Sequence, residues 1–179
     1  YDKYLPRITD EDMKLISEPI DVYGQNIYNG RCIRMGVDGK PEDVKRYDGF
    51  PKTAMEWPIT PECLYWGPKL LYERYQTPIY ITENGLSCHD VISLDGKVHD
   101  PYRIAYLRAH IEQMKLAISD GCEMMGYCPW SAVDLISTHE GMVKRYGFIY
   151  VDREEFDLKT LDRYRKDSFY WYKKVIETN

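Results

Sequence analysis

The sequence predicts an α/β fold in which parallel strands alternate with helices. Three mostly apolar runs, at residues 20–29, 79–83 and 124–134, have the composition of strands, and helical patterns separate them. Runs that are apolar almost throughout, rather than at every second position, are typical of a parallel sheet covered on both faces. Three such strands would leave long apolar edges unpaired, so we expect the chain to supply three βα units of a larger α/β structure.

The first half of the chain carries two helix signals. Residues 8–16 contain Thr9, a residue type suited to capping a helix N-terminus, and acidic residues follow it in the first turn. Residues 60–75 carry the second pattern, with Thr60 as the predicted N-cap. Pro68 lies inside this pattern, and we expect it to kink or interrupt the helix.

The second half begins with the clearest helix of the chain, predicted over residues 100–121 with Asp100 as its cap. Apolar residues recur at spacings of three and four along its expected core face, namely Ile104, Leu107, Ile111, Met114 and Ile118. Pro129 should make the third strand irregular near its end. Beyond that strand, the sequence predicts one arm of a short hairpin over residues 145–152 and a closing helix over residues 166–179.

The composition argues against several classes of function. The chain has 24 Lys and Arg against 29 Asp and Glu, a net charge of −5, and no basic run, which disfavours nucleic acid as a partner. No apolar stretch approaches the roughly 20 residues needed to cross a bilayer, so no membrane association is expected. The 4 His lack metal-ligand spacing, and we expect neither a metal nor a cofactor.

The cysteines and the first residue bear on the cellular context. Five cysteines, an odd number without a Cys-x-x-Cys pair, favour a reducing compartment over a disulfide framework, so we expect a cytoplasmic protein. The chain begins at Tyr1 with neither an initiator Met nor a signal-like segment, which we interpret as a piece of a longer polypeptide. The sequence leaves the oligomeric state open.

Polar and aromatic side chains lie where each predicted strand ends. Asn26 and Tyr28 end the first strand, Glu83 ends the second, and Trp130 lies near the end of the third. Because ligands of parallel α/β proteins bind at the carboxyl ends of the strands, these residues form a candidate site. Three of these residues have a simpler interpretation as well: Glu83 as a solvated glutamate at a strand end, and Tyr28 and Trp130 as aromatic residues of an ordinary core.

Four motifs, in this order, resemble the C-terminal part of glycoside hydrolase family 1, which comprises β-glucosidases and their 6-phospho relatives. They are GQNIYN at 24–29, ITENG at 81–85, WSAVD at 130–134 and KRYGFIYVD at 144–152, supported by EWPITPECLY at 56–65. The resemblance implies a partial (β/α)8 TIM barrel, in which residues 1–179 form the C-terminal part of a single barrel domain, roughly its last three βα units. A complete barrel needs about 250 residues, so the implied partner is the missing N-terminal part of the same barrel.

By this resemblance Glu83 is the nucleophile of a retaining β-glycosidase, and Tyr28 is the tyrosine that hydrogen-bonds and orients it. Asn26 corresponds to a residue that borders the same sugar subsite, and Trp130 to the tryptophan whose ring lies under the sugar. A retaining enzyme also needs a general acid/base about 5–5.5 Å from the nucleophile. The family carries that residue in a motif like Asn-Glu-Pro, which this sequence lacks, so the chain alone is expected to be inactive.

The loop after Trp130 bears on the substrate. In the β-glucosidases of the family, a Glu-Trp pair occupies the positions of Ser137 and Thr138. The 6-phospho enzymes instead carry Ser, Lys and Tyr at the positions that correspond to Ser137, Lys144 and Tyr146, so in this loop the chain resembles them. A carboxylate at position 137 would repel a phosphate dianion, while a hydroxyl, an ammonium and a phenol can donate hydrogen bonds to it. The resemblance therefore favours a 6-phospho-β-glucoside as the small-molecule substrate, and the absence of tryptophan at 138 favours the gluco over the galacto configuration.

Two alternatives stay open at this level. If the three loop residues form an ordinary polar loop, the protein is a plain β-glucosidase. If Trp130 and the three loop residues bind a sugar and no general acid/base residue complements Glu83, the protein is a non-catalytic sugar- or phosphosugar-binding module. The sequence assigns no role to His139 in the same loop, and it does not identify the aglycone.

Overall fold

The computed structural model describes residues 4–138 and 140–178 and shows an α/β arrangement over these residues. Its helices are α1 (Asp10–Ile16), α2 (Cys63–Tyr75), α3 (Pro101–Ser119) and α4 (Asp167–Thr178). Its strands are β1 (Tyr23–Asn26), β2 (Ile33–Met35), β3 (Pro41–Asp43), β4 (Ile79–Asn84), β5 (Met124–Pro129), β6 (Ile149–Val151) and β7 (Arg163–Arg165). The predicted alternation of strands and helices is confirmed.

The central feature is a sheet of three parallel strands in the order β1-β4-β5. Ile79 of the central strand lies opposite Tyr23 on one side and opposite Met124 on the other. The three strands therefore start level with one another, and their carboxyl ends meet at one edge. A core of buried residues packs between this sheet and helices α2 and α3, and it comprises Ile27, Leu64, Ile79, Ile81, Ala117 and Cys122.

Of the three predicted helix caps, Thr9 and Asp100 occupy the N-cap position and Thr60 does not. Thr9 caps α1 as predicted, because its hydroxyl accepts a hydrogen bond of 3.1 Å from the amide of Asp12. The prediction that Thr60 caps the next helix is wrong. That helix begins at Cys63, and the Thr60 hydroxyl accepts a hydrogen bond of 2.9 Å from the amide of Gly30, tying the chain after β1 to the start of α2.

Pro68 does not interrupt α2, which runs as one helix through it. Pro68 lies in the second turn, so its missing amide removes a single bond, the one to Leu64. Both residues are buried on the inner face of the helix.

Helix α3 buries a different set of residues from the predicted apolar row. Leu107 is buried as expected, but Ile118 is 47% exposed, and the polar residues Arg103 and His110 lie inside. The side chain of Asp100 makes no capping bond to α3. Its carboxylate instead accepts a hydrogen bond of 2.8 Å from the amide of Ser168, in the first turn of α4.

Three short strands were not predicted. Strands β2 and β3 form an exposed antiparallel hairpin, and β7 pairs with β6, which occupies part of the predicted arm at 145–152. The third strand was predicted over 124–134 but ends at Pro129, which cannot donate a ladder hydrogen bond. Within the described part of the chain, no helix is long and apolar enough to cross a membrane.

Candidate active site

The carboxyl ends of the three parallel strands bring the predicted site residues to one edge of the sheet. Asn26 lies opposite Glu83, and Asn84 lies opposite Pro129, the residue before Trp130. The register shifts between Gln25 and Asn26, so that β4 contains one extra residue at this point. Such a bulge bends the strand locally and changes the direction of the side chain that follows it.

Glu83 and Tyr28 form a direct pair at this edge. The Tyr28 hydroxyl donates a hydrogen bond of 2.7 Å to Oε2 of Glu83, and the contact is partly buried. Burial, together with the hydrogen bond and the charge of Glu83, raises the pKa of Tyr28 far above its usual value. The phenol therefore stays protonated and acts as a donor to Glu83. Trp57 makes an edge contact with the ring of Tyr28, with centroids 5.4 Å apart.

Asn26 lies beside this pair and contacts the bulge residue. Its Oδ1 accepts a hydrogen bond of 2.6 Å from the hydroxyl of Thr82, so part of its amide is engaged by β4. The side chain is exposed, and its amide nitrogen is the group with which it could meet a ligand hydroxyl.

Trp130 is joined to the end of β4 through its backbone. Its amide donates a hydrogen bond of 2.7 Å to the carbonyl of Asn84. A β-carbon at Gly85 would overlap the carbonyl oxygen of Trp130, so only glycine permits the two strand ends to come this close. The glycine of the ITENG motif thus has a packing reason, and the partly buried Trp130 lies next to the strand that carries Glu83.

The three predicted substrate residues of the loop have separate partners. The amide of Ser137 bonds to the carbonyl of Gly141 at 2.8 Å, within a tight turn. Lys144 Nζ forms an ion pair of 2.6 Å with Glu140. Tyr146 is 8% exposed, and its hydroxyl contacts the sulfur of Met55 at 3.4 Å. His139 lies outside the described residues.

Behind the site lies a buried ionic cluster that sequence reasoning missed. Its members are each at most 5% exposed, and they are Asp90, Asp100, Arg103, Asp134, Arg145 and Lys166. Lys166 Nζ bridges Asp90 at 2.5 Å and Asp134 at 2.7 Å. Arg103 pairs with Asp90 at 2.6 Å and with Asp100 at 2.9 Å. Three cations and three carboxylates balance one another, which buried charges require.

The ionic cluster links the segments that follow the strands. Burial would raise the pKa of Asp90, but the charges of Arg103 and Lys166 outweigh it and hold that pKa below its usual value. A guanidinium nitrogen of Arg103 also donates to the carbonyl of Leu86, after β4, and at 3.2 Å to that of Tyr146. The signal available from the sequence was the position of Arg103 on the same helical face as Leu107.

The chain resembles known proteins over almost its whole length. The model of the family described as "Glycosyl hydrolase family 1" matches residues 2–179. The chain belongs to glycosyl hydrolase family 1. The family resemblance predicted from the four motifs is confirmed, and the homologues named below are β-glucosidases and 6-phospho-β-glucosidases.

Family 1 relatives of both substrate types are similar to the chain. "Beta-glucosidase A" of Thermotoga maritima is 44% identical over 180 residues, which cover 99% of this chain and 39% of the relative. "6-phospho-beta-glucosidase AscB" of Escherichia coli is 48% identical over 175 residues, covering 94% and 37%. The solved Thermotoga maritima β-glucosidase in complex with glucoimidazole superposes with a TM-score of 0.83 at 44% identity, covering 99% of this chain and 39% of that one.

The chain matches only a part of each of these relatives. The chain spans less than two fifths of the length of the relatives that it matches, so it corresponds to one part of a family 1 enzyme. Within the described residues, no group of three or more His, Cys, Asp or Glu side chains could hold a metal ion. The chemistry available at the strand ends is that of one carboxylate, Glu83, held by one phenol.

Proposed function

We propose that the chain is the C-terminal part of a retaining β-glycosidase, that it supplies the last three βα units of a (β/α)8 barrel, and that Glu83 is the nucleophile. The observation that carries this proposal is the hydrogen bond of 2.7 Å from Tyr28 to Glu83 at the carboxyl edge of a parallel sheet, in a chain that belongs to family 1. A rigid strand fixes the carboxylate, and the phenol fixes its orientation.

The proposed reaction has two steps. In the first, a carboxylate oxygen of Glu83 forms a bond to the anomeric carbon while the bond to the aglycone oxygen breaks, and that oxygen takes the electron pair and a proton from a general acid. In the second, water attacks the anomeric carbon, the same group removes a proton from the water, and the Glu83 carboxylate is released. Because the sequence lacks an Asn-Glu-Pro motif, the acid/base residue lies on the upstream part of the barrel.

The proposed substrate is a 6-phospho-β-glucoside, and the plain β-glucoside is the runner-up. Ser137 supplies a hydroxyl where an acidic residue would repel phosphate, and Lys144 supplies a cation. The Glu140 carboxylate occupies that cation at 2.6 Å, so the phosphate would have to displace it. Tyr146 supplies a phenol that is buried beside Met55, and its hydroxyl contacts the Met55 sulfur at 3.4 Å. Tyr146 would thus be the third donor to the phosphate.

The test compares two substrates on the completed enzyme. The completed enzyme is this chain joined to the N-terminal part of its own polypeptide. Where there is no such part, the chain is joined to the corresponding N-terminal part of Thermotoga maritima β-glucosidase A. Activity on p-nitrophenyl 6-phospho-β-glucoside should exceed activity on p-nitrophenyl β-glucoside by at least about tenfold, or about 1.4 kcal/mol. The reverse preference would identify a plain β-glucosidase, and no hydrolysis of either substrate would overturn the proposal.

A second measurement concerns the chain by itself. Without the acid/base residue, the 179-residue chain should not turn over either substrate at an enzymatic rate. Calorimetric titration with glucose 6-phosphate separates this from a non-catalytic binding module, for which saturable binding without turnover is expected. We also propose a cytoplasmic location, which the five free cysteines support.

A further inference from the structure

We propose that Tyr106 and Asn84 are positioning residues that hold Tyr28 in place against Glu83, an inference that rests on the proposed function of Glu83. Neither residue is among those that the motifs single out as site residues. Tyr106 comes from helix α3, on the outer side of the sheet, and Asn84 is the last residue of β4. Together they form a neutral, buried hydrogen-bonded layer next to the candidate nucleophile in the chain.

Tyr106 reaches the backbone of the residue that carries the phenol. Its hydroxyl donates a hydrogen bond of 3.2 Å to the carbonyl of Tyr28, and its side chain is only 4% exposed. The ring of His110, one helical turn further along α3, stacks on it with centroids 3.8 Å apart and planes 25° apart. Stacking and burial restrict the Tyr106 ring, so the position of its hydroxyl is set by the helix.

Asn84 joins this hydroxyl to all three strands. Its amide nitrogen donates to the carbonyl of Ile27 at 2.8 Å, just beyond β1, and to the Tyr106 hydroxyl at 3.2 Å. Its amide oxygen accepts a hydrogen bond of 2.7 Å from the hydroxyl of Tyr127, on β5. The side chain is fully buried, and both its donor and its acceptor groups are used.

The layer matters because the chain leaves the sheet at this point. The amide of Ile27 still bonds to the carbonyl of Glu83 at 2.9 Å. At the next residue, Tyr28, the carbonyl is held by the Tyr106 hydroxyl. The hydroxyl of Tyr28 is at the far end of a rigid side chain. A small shift of the Tyr28 backbone would therefore move this hydroxyl relative to Glu83. Loss of such orientation slows the chemical step more than it weakens substrate binding.

The test uses the completed enzyme and a 2,4-dinitrophenyl glycoside of the preferred sugar. This leaving group departs without an acid, so the first-turnover rate constant reports on attack by the nucleophile. The variants are Y106F, Y28F, the double variant and Y65F. The last is a matched control, because the Tyr65 hydroxyl bonds to Asp120 at 2.5 Å, away from the site. Y106F removes two hydrogen bonds, the one to the Tyr28 carbonyl and the one from the Asn84 amide. It should lower the rate roughly fivefold, with the half-saturating concentration changed less than about twofold.

Two outcomes distinguish positioning from general destabilisation. If Tyr106 acts through Tyr28, the double variant should be no slower than Y28F alone, because the contact that it supports is already gone. Multiplicative losses in the double variant, or an unchanged rate in Y106F while the wild type is active, would overturn the inference alone. An inactive wild type would overturn the proposed function, and the inference with it.

A second variant decides the question if Y106F does not fold. Y127F removes the donor to the amide oxygen of Asn84 and leaves the Tyr106 hydroxyl in place. It should slow the first turnover by roughly two- to threefold and show the same lack of additivity with Y28F. A Y127F rate equal to that of Y65F would contradict the proposal.

Discussion

The two groups of residues proposed to meet the substrate are held in opposite ways. Glu83 and Tyr28 lie at strand ends and are bonded to each other, and Tyr106 of α3, Asn84 of β4 and Tyr127 of β5 form a hydrogen-bonded set that supports Tyr28. Ser137 and Lys144 lie on a turn, where Lys144 takes its counter-charge from Glu140, a neighbour four residues away. The nucleophile pair is thus held by contacts from distant parts of the chain, whereas the ion pair of Lys144 is made within its own loop.

This difference matches what each region must do. A nucleophile must keep its geometry within a fraction of an ångström, which requires rigid elements and buried supporting bonds. Specificity loops on the surface can change without disturbing the sheet. The β-glucosidase and the 6-phospho-β-glucosidase relatives share 44% and 48% of their residues with this chain, so overall identity does not separate the two substrate types.

Removal of the carboxylate in the fixed region should have the largest effect. Glu83→Gln keeps the size of the side chain but abolishes the nucleophile, and kcat of the completed enzyme should fall by at least about a thousandfold. The matched control is Glu112→Gln, an exposed glutamate on α3, which should stay within about twofold of the wild type. Steady-state kinetics on the nitrophenyl glycosides measure both. A residual rate above about a tenth of the wild type would show that another group attacks the anomeric carbon.

The buried ionic cluster joins the two regions, and breaking it should have the next largest effect. Lys166→Met removes the cation that bridges Asp90, after β4, and Asp134, at the start of the loop segment. Two carboxylates then remain buried with less compensation, and the free energy of unfolding should fall by about 3–5 kcal/mol. Urea unfolding of the completed enzyme measures the loss.

The control for this prediction is an exposed lysine. Lys173 pairs with Glu177 on the surface of α4 at 3.6 Å, so Lys173→Met should cost less than about 1 kcal/mol. Equal losses in Lys166→Met and Lys173→Met would show that the buried cluster does not hold the strand ends to the loop.

The features that could be predicted from the sequence are those that depend on neighbouring residues. The strand with Glu83 follows from a short apolar run, and α1 follows from a local capping box, so both were found without knowledge of the rest of the chain. The partner of Thr60 was not predictable in this way, because Gly30 lies 30 residues away. The sequence around Thr60 is equally compatible with a helix cap.

Buried polar residues were the main omission. Arg103 and His110 interrupt the apolar periodicity of α3, and local reasoning therefore assigned the core face to Ile111 and Ile118. Arg103 is accommodated in the core by partners outside its helix, such as Asp90, and the local apolar pattern does not reveal them. The hairpin of β2 and β3 was missed for a different reason, since each strand has only three residues and all of them are exposed.

The fixed region should also make stability depend on pH through His110. Burial lowers the pKa of His110 to about 4, against about 6.5 in an unfolded chain. Between these two pKa values, His110 is protonated in the unfolded state and neutral in the folded state. The contribution of His110 to the free energy of unfolding is therefore fully present above pH 6.5 and is lost as the pH drops toward 4. The loss should be about 2–3 kcal/mol at pH 4.5.

His110→Phe isolates this contribution, because it keeps a ring against Tyr106 and cannot be protonated. The difference in unfolding free energy between pH 7 and pH 4.5 should be smaller in the variant by the amount given above. Identical pH dependence of variant and wild type in urea unfolding would mean that other groups account for the acid sensitivity.

The smallest effect is expected in the locally held region, at the ion pair of Lys144 and Glu140. A phosphate that approaches Lys144 meets the negative charge of Glu140, whose side chain is 33% exposed and so only partly screened by solvent. Glu140→Gln should therefore raise kcat/KM for the 6-phospho-β-glucoside by roughly two- to fivefold and leave the plain β-glucoside unchanged. Glu177→Gln, which breaks an exposed pair on α4, is the matched control. The gain should shrink as the salt concentration rises, because it is electrostatic. An equal gain on both substrates would mean that Glu140 acts on the shape of the loop, and that Lys144 does not recognise phosphate.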